Sequence, residues 1–169
     1  AVLCDTGVVV SESLRIGGDS FNEAIIQYVR RKKKLVIGPL TAEEIKISAG
    51  TVDRRSEERE VEIRGRDVIS GLPKIVTLHS LEIQRALESQ VMSILEAIKS
   101  ILEKTPPELV AAIGDHGIIL TGGGALISGL DRVISRSVGI AAYLVELPRY
   151  AVIKGVAKTL DEMSSLRDT

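Results

Sequence analysis

Three consecutive glycines, Gly122 to Gly124, are well suited by type and position to contact an anion. They follow the apolar run Ile118 to Leu120, which is typical of a buried parallel strand, and precede apolar residues at helical spacing. Backbone N–H groups and a helix dipole would then point toward a ligand at the carboxyl end of the strand. The loop is neither a dinucleotide-binding fingerprint, because Ile127 stands where a glycine is required, nor a P-loop, because no Gly-Lys-Ser/Thr follows. By spacing alone, a tight turn that packs a helix close to its strand remains an equal alternative.

Glu43 and Lys46 lie three residues apart on a predicted short helix and therefore project from one face of it. A carboxylate in this position can accept hydrogen bonds from ribose hydroxyls, while the ammonium can donate to a base or a phosphate. Taken alone, the pair is better explained as a surface ion pair worth about 0 to 1 kcal/mol.

A second glycine turn, Gly17 and Gly18, is followed by Asp19 and leads into another predicted helix. The Asp19 carboxylate could orient a water molecule or a metal ion. An acidic residue at a helix N-terminus is more commonly a cap, which is the favoured interpretation here.

Several kinds of site are excluded by composition. Cys4 is the only cysteine, and with His79 and His116 it offers too few ligands for zinc and no disulfide. No Gly-x-Ser-x-Gly elbow is present, so a hydrolase triad is not expected. The 22 basic and 23 acidic residues give a net charge of −1, and aromatic residues make up only 2% of the chain, so no nucleic-acid partner is predicted. The single cysteine and the lack of a membrane-length apolar run predict a soluble cytoplasmic chain.

The elements that must position these residues alternate between strands and helices. The apolar pattern predicts a hairpin of residues 1–4 and 8–10 with a turn at 5–7, a helix from Asp19 or Ser20 to 34, a short helix from Thr41 to Gly50, and an antiparallel sheet over 60–78 with a turn at Gly71 to Pro73. It further predicts helices over 80–104 and from Pro107, a strand at 118–120, a helix from Leu126 that ends at Gly139, a strand at 143–145 and a helix over 150–163. Ser20 with Glu23, and Thr41 with Glu44, fit capping boxes. The order indicates an α/β fold with a parallel or mixed sheet. Because the chain begins inside a strand, we expect it to be a segment of a longer protein.

Together these segments resemble the carboxyl-terminal half of MreB, the family of rod shape-determining bacterial actins. The resemblance is carried, in the family's order, by Arg15 to Asp19, Glu23 to Ile26, Tyr28 to Arg30, Ile37-Gly38, Thr41 to Glu43, Ile45-Lys46, Val61 to Arg66, Gly71 to Pro73, Leu102 to Leu109, Leu120 to Leu126 and Gly129 to Asp131. It implies an actin-like ATPase fold of the ribonuclease H-like class. Residues 1–16 and 90–169 would form the nucleotide-side lobe, and residues 17–89 an inserted small α+β lobe.

The resemblance also implies that the cofactor is ATP, with magnesium in the full-length protein. The family's Glu-x-x-Lys helix contacts adenosine, and here it corresponds to Glu43, Glu44, Ile45 and Lys46. The family's glycine loop lies along the nucleotide near adenine and phosphate, and here it corresponds to Gly122, Gly123, Gly124 and Ala125. Gly17 and Gly18 would lie near the phosphate end. No catalytic or metal-binding residue is assigned, because the family's phosphate loops and magnesium-binding acids have no counterpart in this sequence; whether the chain is an enzyme therefore stays open.

The family's partners follow from the same resemblance. We expect head-to-tail self-association into filaments, association with cell-shape and wall-synthesis membrane proteins, and a location at the inner face of the membrane, with membrane contact made by the half that is absent here. Arg149, Tyr150 and Lys154 depart from the smaller residues usual in the family after the proline. The alternatives are an actin-fold sugar kinase or chaperone-type ATPase, and an interaction module that binds no nucleotide.

Overall fold

The computed structural model describes the backbone of residues 1–5 and 7–167 and the side chains of 1–5 and 7–162, so Thr6 of the predicted turn lies outside the described residues. The helices are α1 Gly18–Lys33, α2 Pro39–Ala49, α3 Ser80–Lys104, α4 Pro107–His116, α5 Leu130–Val138 and α6 Ala151–Arg167. The strands are β1 Val2–Cys4, β2 Gly7–Val10, β3 Leu35–Val36, β4 Glu60–Asp67, β5 Pro73–His79, β6 Ile118–Leu120 and β7 Ala142–Leu144. Two short 3-10 turns, Gly123–Leu126 and Pro148–Tyr150, complete the described elements.

The strands form three small sheets, two antiparallel and one parallel. Strands β1 and β2 pair as the predicted hairpin, and β3, β4 and β5 form an antiparallel sheet in that order. Strands β6 and β7 are parallel, with Ile118 opposite Ala142 and Leu120 opposite Leu144, which confirms the predicted mixture of strand directions. The expectation that β6 is fully buried is wrong for this chain, because the Ile119 side chain is 59% exposed on a sheet to which the described residues contribute two strands.

The core lies between the three-stranded sheet and helices α1, α2 and α3. Phe21, Ile25 and Val29 recur every fourth residue and form the buried stripe of α1, as the sequence pattern predicts. The sheet, α2 and α3 complete the core with further buried aliphatic side chains, among them Leu35, Ile45, Ile63, Leu78, Ile83 and Leu87. Because α1 and α2 pack directly on each other, the amino end of α1 lies beside α2.

Helix α3 matches its predicted limits and is continuous across residues 89 and 90, where the two predicted lobes would meet. It packs against α1 and β5 at one end of the fold and against α5 as well. The division of the chain into lobes stays a prediction.

The predicted caps of α1 and α2 are wrong by two to three residues. Gly17 precedes α1, and its N–H donates to Ser20 Oγ at 2.9 Å while the Ser20 hydroxyl donates back to the Gly17 carbonyl at 2.8 Å. Ser20 is therefore the third helical residue rather than the cap. Helix α2 begins at Pro39 after Gly38, which places Thr41 inside the first turn, because proline's fixed φ suits the first position of a helix.

The prediction that a helix follows the glycines directly is also wrong. A single 3-10 turn comes first, and α5 begins only at Leu130, after Gly129 at φ +84°. A Cβ at Gly129 would lie 2.5 Å from Asp53 Cβ, so this close approach of two distant segments requires glycine and interrupts the helical run. No α-helix N-terminus therefore lies at the glycine loop.

A partly buried ion pair links the end of α1 to the start of α3. Lys33 Nζ lies 2.8 Å from Glu82 Oε2, and the His79 N–H donates to the same oxygen at 3.2 Å. Burial alone would raise the pKa of Glu82, but the hydrogen bonds from Lys33 and His79 outweigh it and the pKa lies below its ordinary value of 4.5.

The ion pair of Lys33 and Glu82 should make the free energy of unfolding depend on pH. Because the folded-state pKa of Glu82 is lowered, its stabilisation is present above pH 4.5 and is lost as the pH falls below that value. We expect Glu82→Gln to lower the free energy of unfolding by about 1 kcal/mol at pH 7. The difference from wild type should shrink toward zero near pH 3, as measured by urea unfolding. Glu96→Gln, at an exposed position of the same helix, is the control and should show no such convergence; a constant difference for Glu82→Gln at both pH values would contradict the assignment.

Candidate nucleotide-binding site

A cavity of about 750 Å³ opens between α2, the amino end of α1 and the 3-10 turn at the glycines. It is lined by Gly18, Phe21, Glu43, Lys46, Ile47, Gly50, Arg59, Gly123, Gly124, Leu126, Ile127, Ser128 and Arg149. The cavity thus brings together residues from segments that are about 100 positions apart in the chain.

One wall of the cavity carries a tightly bonded acid–base pair. Lys46 Nζ donates to Glu43 Oε2 at 2.6 Å and to the Gly18 carbonyl at 3.2 Å, and Asn22 Nδ2 donates to the same Glu43 oxygen at 2.8 Å. The hydrogen bond from Lys46, followed by that from Asn22, holds the pKa of Glu43 below its ordinary range. The carboxylate is therefore ionised at neutral pH. Its second oxygen receives no hydrogen bond from any described side chain and is available to a ligand.

The opposite wall is the glycine turn. The Gly122 N–H donates to the Pro148 carbonyl at 2.9 Å, and Gly122 has φ +85°, a conformation that favours glycine. At Gly123 the backbone is not in that region, and an added Cβ would meet only the Arg149 side chain, at 3.8 Å. The absence of a side chain at Gly123 therefore keeps cavity space free rather than relieving backbone strain.

Five of the ten residues predicted for the site line the cavity: Gly18, Glu43, Lys46, Gly123 and Gly124. The other five do not: Gly17, Glu44, Ile45, Gly122 and Ala125. Ile45 is only 1% exposed and belongs to the core, because it projects from the opposite face of α2. Gly17 precedes α1 and Gly122 shapes the turn. The roles of all ten toward a nucleotide stay predictions.

Two charged residues of the cavity lining were missed by the sequence argument. Arg59 lies in a polar stretch with no motif, and Arg149 stands out in the sequence only as a departure from the family pattern. With Lys46 they give the lining three cations against the single carboxylate of Glu43. This excess of positive charge suits an anionic ligand.

Asp53 is a third residue that sequence reasoning missed, and it fixes the two walls to each other. Its buried carboxylate accepts from Arg132 Nε at 2.9 Å and from Arg136 Nη2 at 2.7 Å, both on α5. Burial raises the pKa of Asp53, but the hydrogen bonds from Arg136 and Arg132 outweigh it, so the pKa lies well below its usual range. Next to it, the Val52 N–H donates to the Ser128 carbonyl at 2.9 Å. The end of α2 is thereby held against the cavity-lining turn.

Neither a metal cluster nor a membrane span is found in the described part of the chain. No group of three or more His, Cys, Asp or Glu side chains within it could hold a metal ion. Asp19 lies in the first turn of α1, with its side chain exposed. None of the helices described is both long and apolar enough to cross a bilayer.

The fold and the cavity together define the class of protein. MreB5 of Spiroplasma citri, solved with AMPPNP, superposes with a TM-score of 0.90 at 32% identity, over 95% of this chain and 48% of that one. A MamK filament structure superposes with a TM-score of 0.69 at 23% identity, over 85% of this chain and 45% of the other, and shows the fold alone. The chain therefore has the mixed α/β fold of the actin-like ATPases.

The particular family is established by sequence. The MreB/Mbl protein family model matches residues 1–168, so the chain belongs to this family. It is 43% identical to the cell shape-determining protein Mbl of Bacillus subtilis over 98% of this chain, and 45% identical to the cell shape-determining protein MreB of Escherichia coli over 95%. The chain spans about half the length of these relatives, 50% and 46% respectively.

Proposed function

We propose that this chain binds the adenosine part of ATP in the cavity and so supplies one wall of the nucleotide cleft of an actin-like filament protein. The observation that carries the proposal is that Glu43 and Lys46 share one cavity with Gly123 and Gly124. A volume of about 750 Å³ lies within the range of roughly 300 to 1,000 Å³ usual for small-molecule sites. The related MreB5 of Spiroplasma citri was solved with AMPPNP and with ADP, which supports a nucleotide as the ligand.

The residues that line the cavity fit a nucleotide bound in one particular orientation. The Glu43 carboxylate, ionised and with one oxygen available, suits the ribose hydroxyls, which are hydrogen-bond donors. Lys46 lies next to Gly18 at the amino end of α1, where backbone N–H groups and the helix dipole favour phosphate. Magnesium accompanying ATP would take its protein contacts outside the described residues.

At the level of the full-length protein, we infer head-to-tail filaments that direct cell-wall synthesis and rod shape at the inner face of the membrane. The support is membership of a family whose relatives are named cell shape-determining proteins. In this proposal residues 17–89 form the small lobe toward the next subunit, and the rest of the chain forms the nucleotide-side lobe. Contacts with wall-synthesis membrane proteins belong to the same proposal.

Gly123→Val tests the nucleotide proposal with little strain on the fold. The added side chain has room against the protein but occupies cavity space, so we expect ATP affinity of the full-length protein to fall about 10-fold by titration calorimetry. Gly114→Val is the matched control, because a Cβ there meets nothing within 4 Å and Gly114 does not line the cavity. Equal ATP affinities for wild type and Gly123→Val would remove Gly123 from the site, and no measurable ATP binding by either protein would favour an interaction module that binds no nucleotide.

Nucleotide-dependent sedimentation of the full-length protein distinguishes the filament proposal from its enzymatic alternative. We expect pelleting with ATP and a smaller pelleted fraction for Gly123→Val at limiting ATP. Phosphorylation of a sugar by ATP, with no nucleotide-dependent pelleting, would instead support an actin-fold kinase.

A further inference from the structure

The side chain of Arg149 reaches over the glycine wall of the cavity from a rigidly held turn. Gly122 donates its N–H to the Pro148 carbonyl at 2.9 Å, and the Tyr150 N–H donates to the Leu147 carbonyl at 2.9 Å. Leu147 itself has φ +50°, a conformation rare for a residue with a side chain. The backbone on both sides of Arg149 is thus fixed relative to the glycine turn.

From this turn the arginine extends across Gly123 toward the other wall. A Cβ built on Gly123 would lie 3.8 Å from Arg149 Cγ and 3.9 Å from Arg149 Nε, so the side chain runs along the glycine at ordinary contact distance. The guanidinium is near enough to Glu43 to contribute to the lowering of that carboxyl's pKa. Within the described part of the chain, no hydrogen bond or salt bridge occupies the guanidinium. It is therefore free to meet a ligand between the two walls.

In the proposed binding direction, Arg149 lies at the base end of the cavity rather than the phosphate end. Backbone N–H groups without a helical acceptor lie at the start of α1, next to Lys46. A nucleotide with its phosphates there and its ribose at Glu43 directs the base toward Gly123 and Arg149. The planar guanidinium can lie against the face of a purine, and glycine leaves the opposite side open.

We propose that Arg149 is a further ligand-contacting residue, whose guanidinium packs against the purine base and slows release of the nucleotide. This inference rests on the proposed nucleotide function and adds a base contact that the sequence motifs do not contain. Stacking of a base on a planar side chain contributes enough to binding to be measured by substitution. Since the contact forms after docking, it acts mainly on the dissociation rate.

The test compares ADP and ATP binding to the full-length protein and to Arg149→Met, by calorimetry and by stopped-flow release of a fluorescent ATP analogue. We expect Arg149→Met to weaken the binding of ADP and of ATP equally, about 10-fold, through faster dissociation of the nucleotide. The size of this loss should be the same at 0.1 and 0.5 M salt, because salt screens phosphate contacts but not stacking. Arg149→Lys, which keeps the charge without the planar group, should lose about as much. Lys154→Met is the matched control for loss of a nearby cation, because Lys154 is exposed and does not line the cavity.

Each result decides the proposal. A loss larger for ATP than for ADP, or one that disappears at high salt, would assign Arg149 to phosphate and overturn the base contact. Unchanged affinity in Arg149→Met would also overturn it while leaving the proposed function intact. No binding of either nucleotide by the wild-type protein would remove the proposed function and this inference together.

Discussion

Asp53→Ala is expected to lower the free energy of unfolding by about 2 to 4 kcal/mol. The substitution removes a carboxylate that is 2% exposed and leaves the Arg132 and Arg136 guanidinium groups facing each other without their counterion. It also removes the acceptor of the Arg55 N–H, at 3.1 Å. Breaking a fully buried pair costs about 3 to 5 kcal/mol. The expected value is lower because the two arginine side chains are 50% and 40% exposed and can recover hydration.

Urea unfolding of the wild-type protein and of Asp53→Ala measures this difference directly. Asp115→Ala is a matched control at an exposed position of α4 and should change stability by less than about 0.5 kcal/mol. If Asp53→Ala were as stable as this control, the ion pairs of Asp53 with Arg132 and Arg136 would not be what holds α5 to the end of α2. Nucleotide affinity, measured well below the unfolding midpoint, should also fall, because Asp53 fixes the two cavity walls to each other.

Lys46→Met is expected to weaken ATP binding by the full-length protein about 10- to 100-fold. The Lys46 side chain is only 13% exposed, and its ammonium donates to the Gly18 carbonyl at the amino end of α1 at 3.2 Å. Its loss removes a charge-assisted hydrogen bond, worth about 1.5 to 3 kcal/mol, and leaves the Glu43 carboxylate without its ion-pair partner beside an anionic ligand. Titration calorimetry measures the affinity, and thermal unfolding establishes that the variant is folded.

Lys74→Met provides the comparison for this result. Lys74 also pairs with a carboxylate, Asp67 at 2.8 Å, but lies on β5 and does not line the cavity. Its substitution should leave ATP affinity unchanged. An equal loss of affinity in both variants would indicate a general effect of net charge and would remove Lys46 from the site.

Local sequence signals were sufficient to predict much of the fold. Helix α3 follows from an unbroken apolar stripe, and α4 starts at Pro107 because proline suits a first turn. The hairpin of β4 and β5 follows from alternation around a turn at Gly71. These features depend on residues close together in the chain, which is why a single sequence contains enough information to predict them.

The features that could not be predicted depend on contacts between distant segments. The start of α5 is displaced because Gly129 packs on Asp53, and nothing near either residue in the sequence indicates that approach. The same holds for Arg149, whose place over Gly123 is set by a hydrogen bond from Gly122 to Pro148. Glu43 and Lys46 could be selected as candidates from their spacing, but only the fold places them in one cavity with the glycines.

We infer that a purine nucleotide binds between the acid–base pair of α2 and the glycine turn. A crystal structure of the full-length protein with AMPPNP tests it most directly. We expect the ribose within hydrogen-bonding distance of Glu43 and the base against Gly123, with Lys46 toward the phosphates. A fully occupied nucleotide that contacts none of these three residues would contradict it.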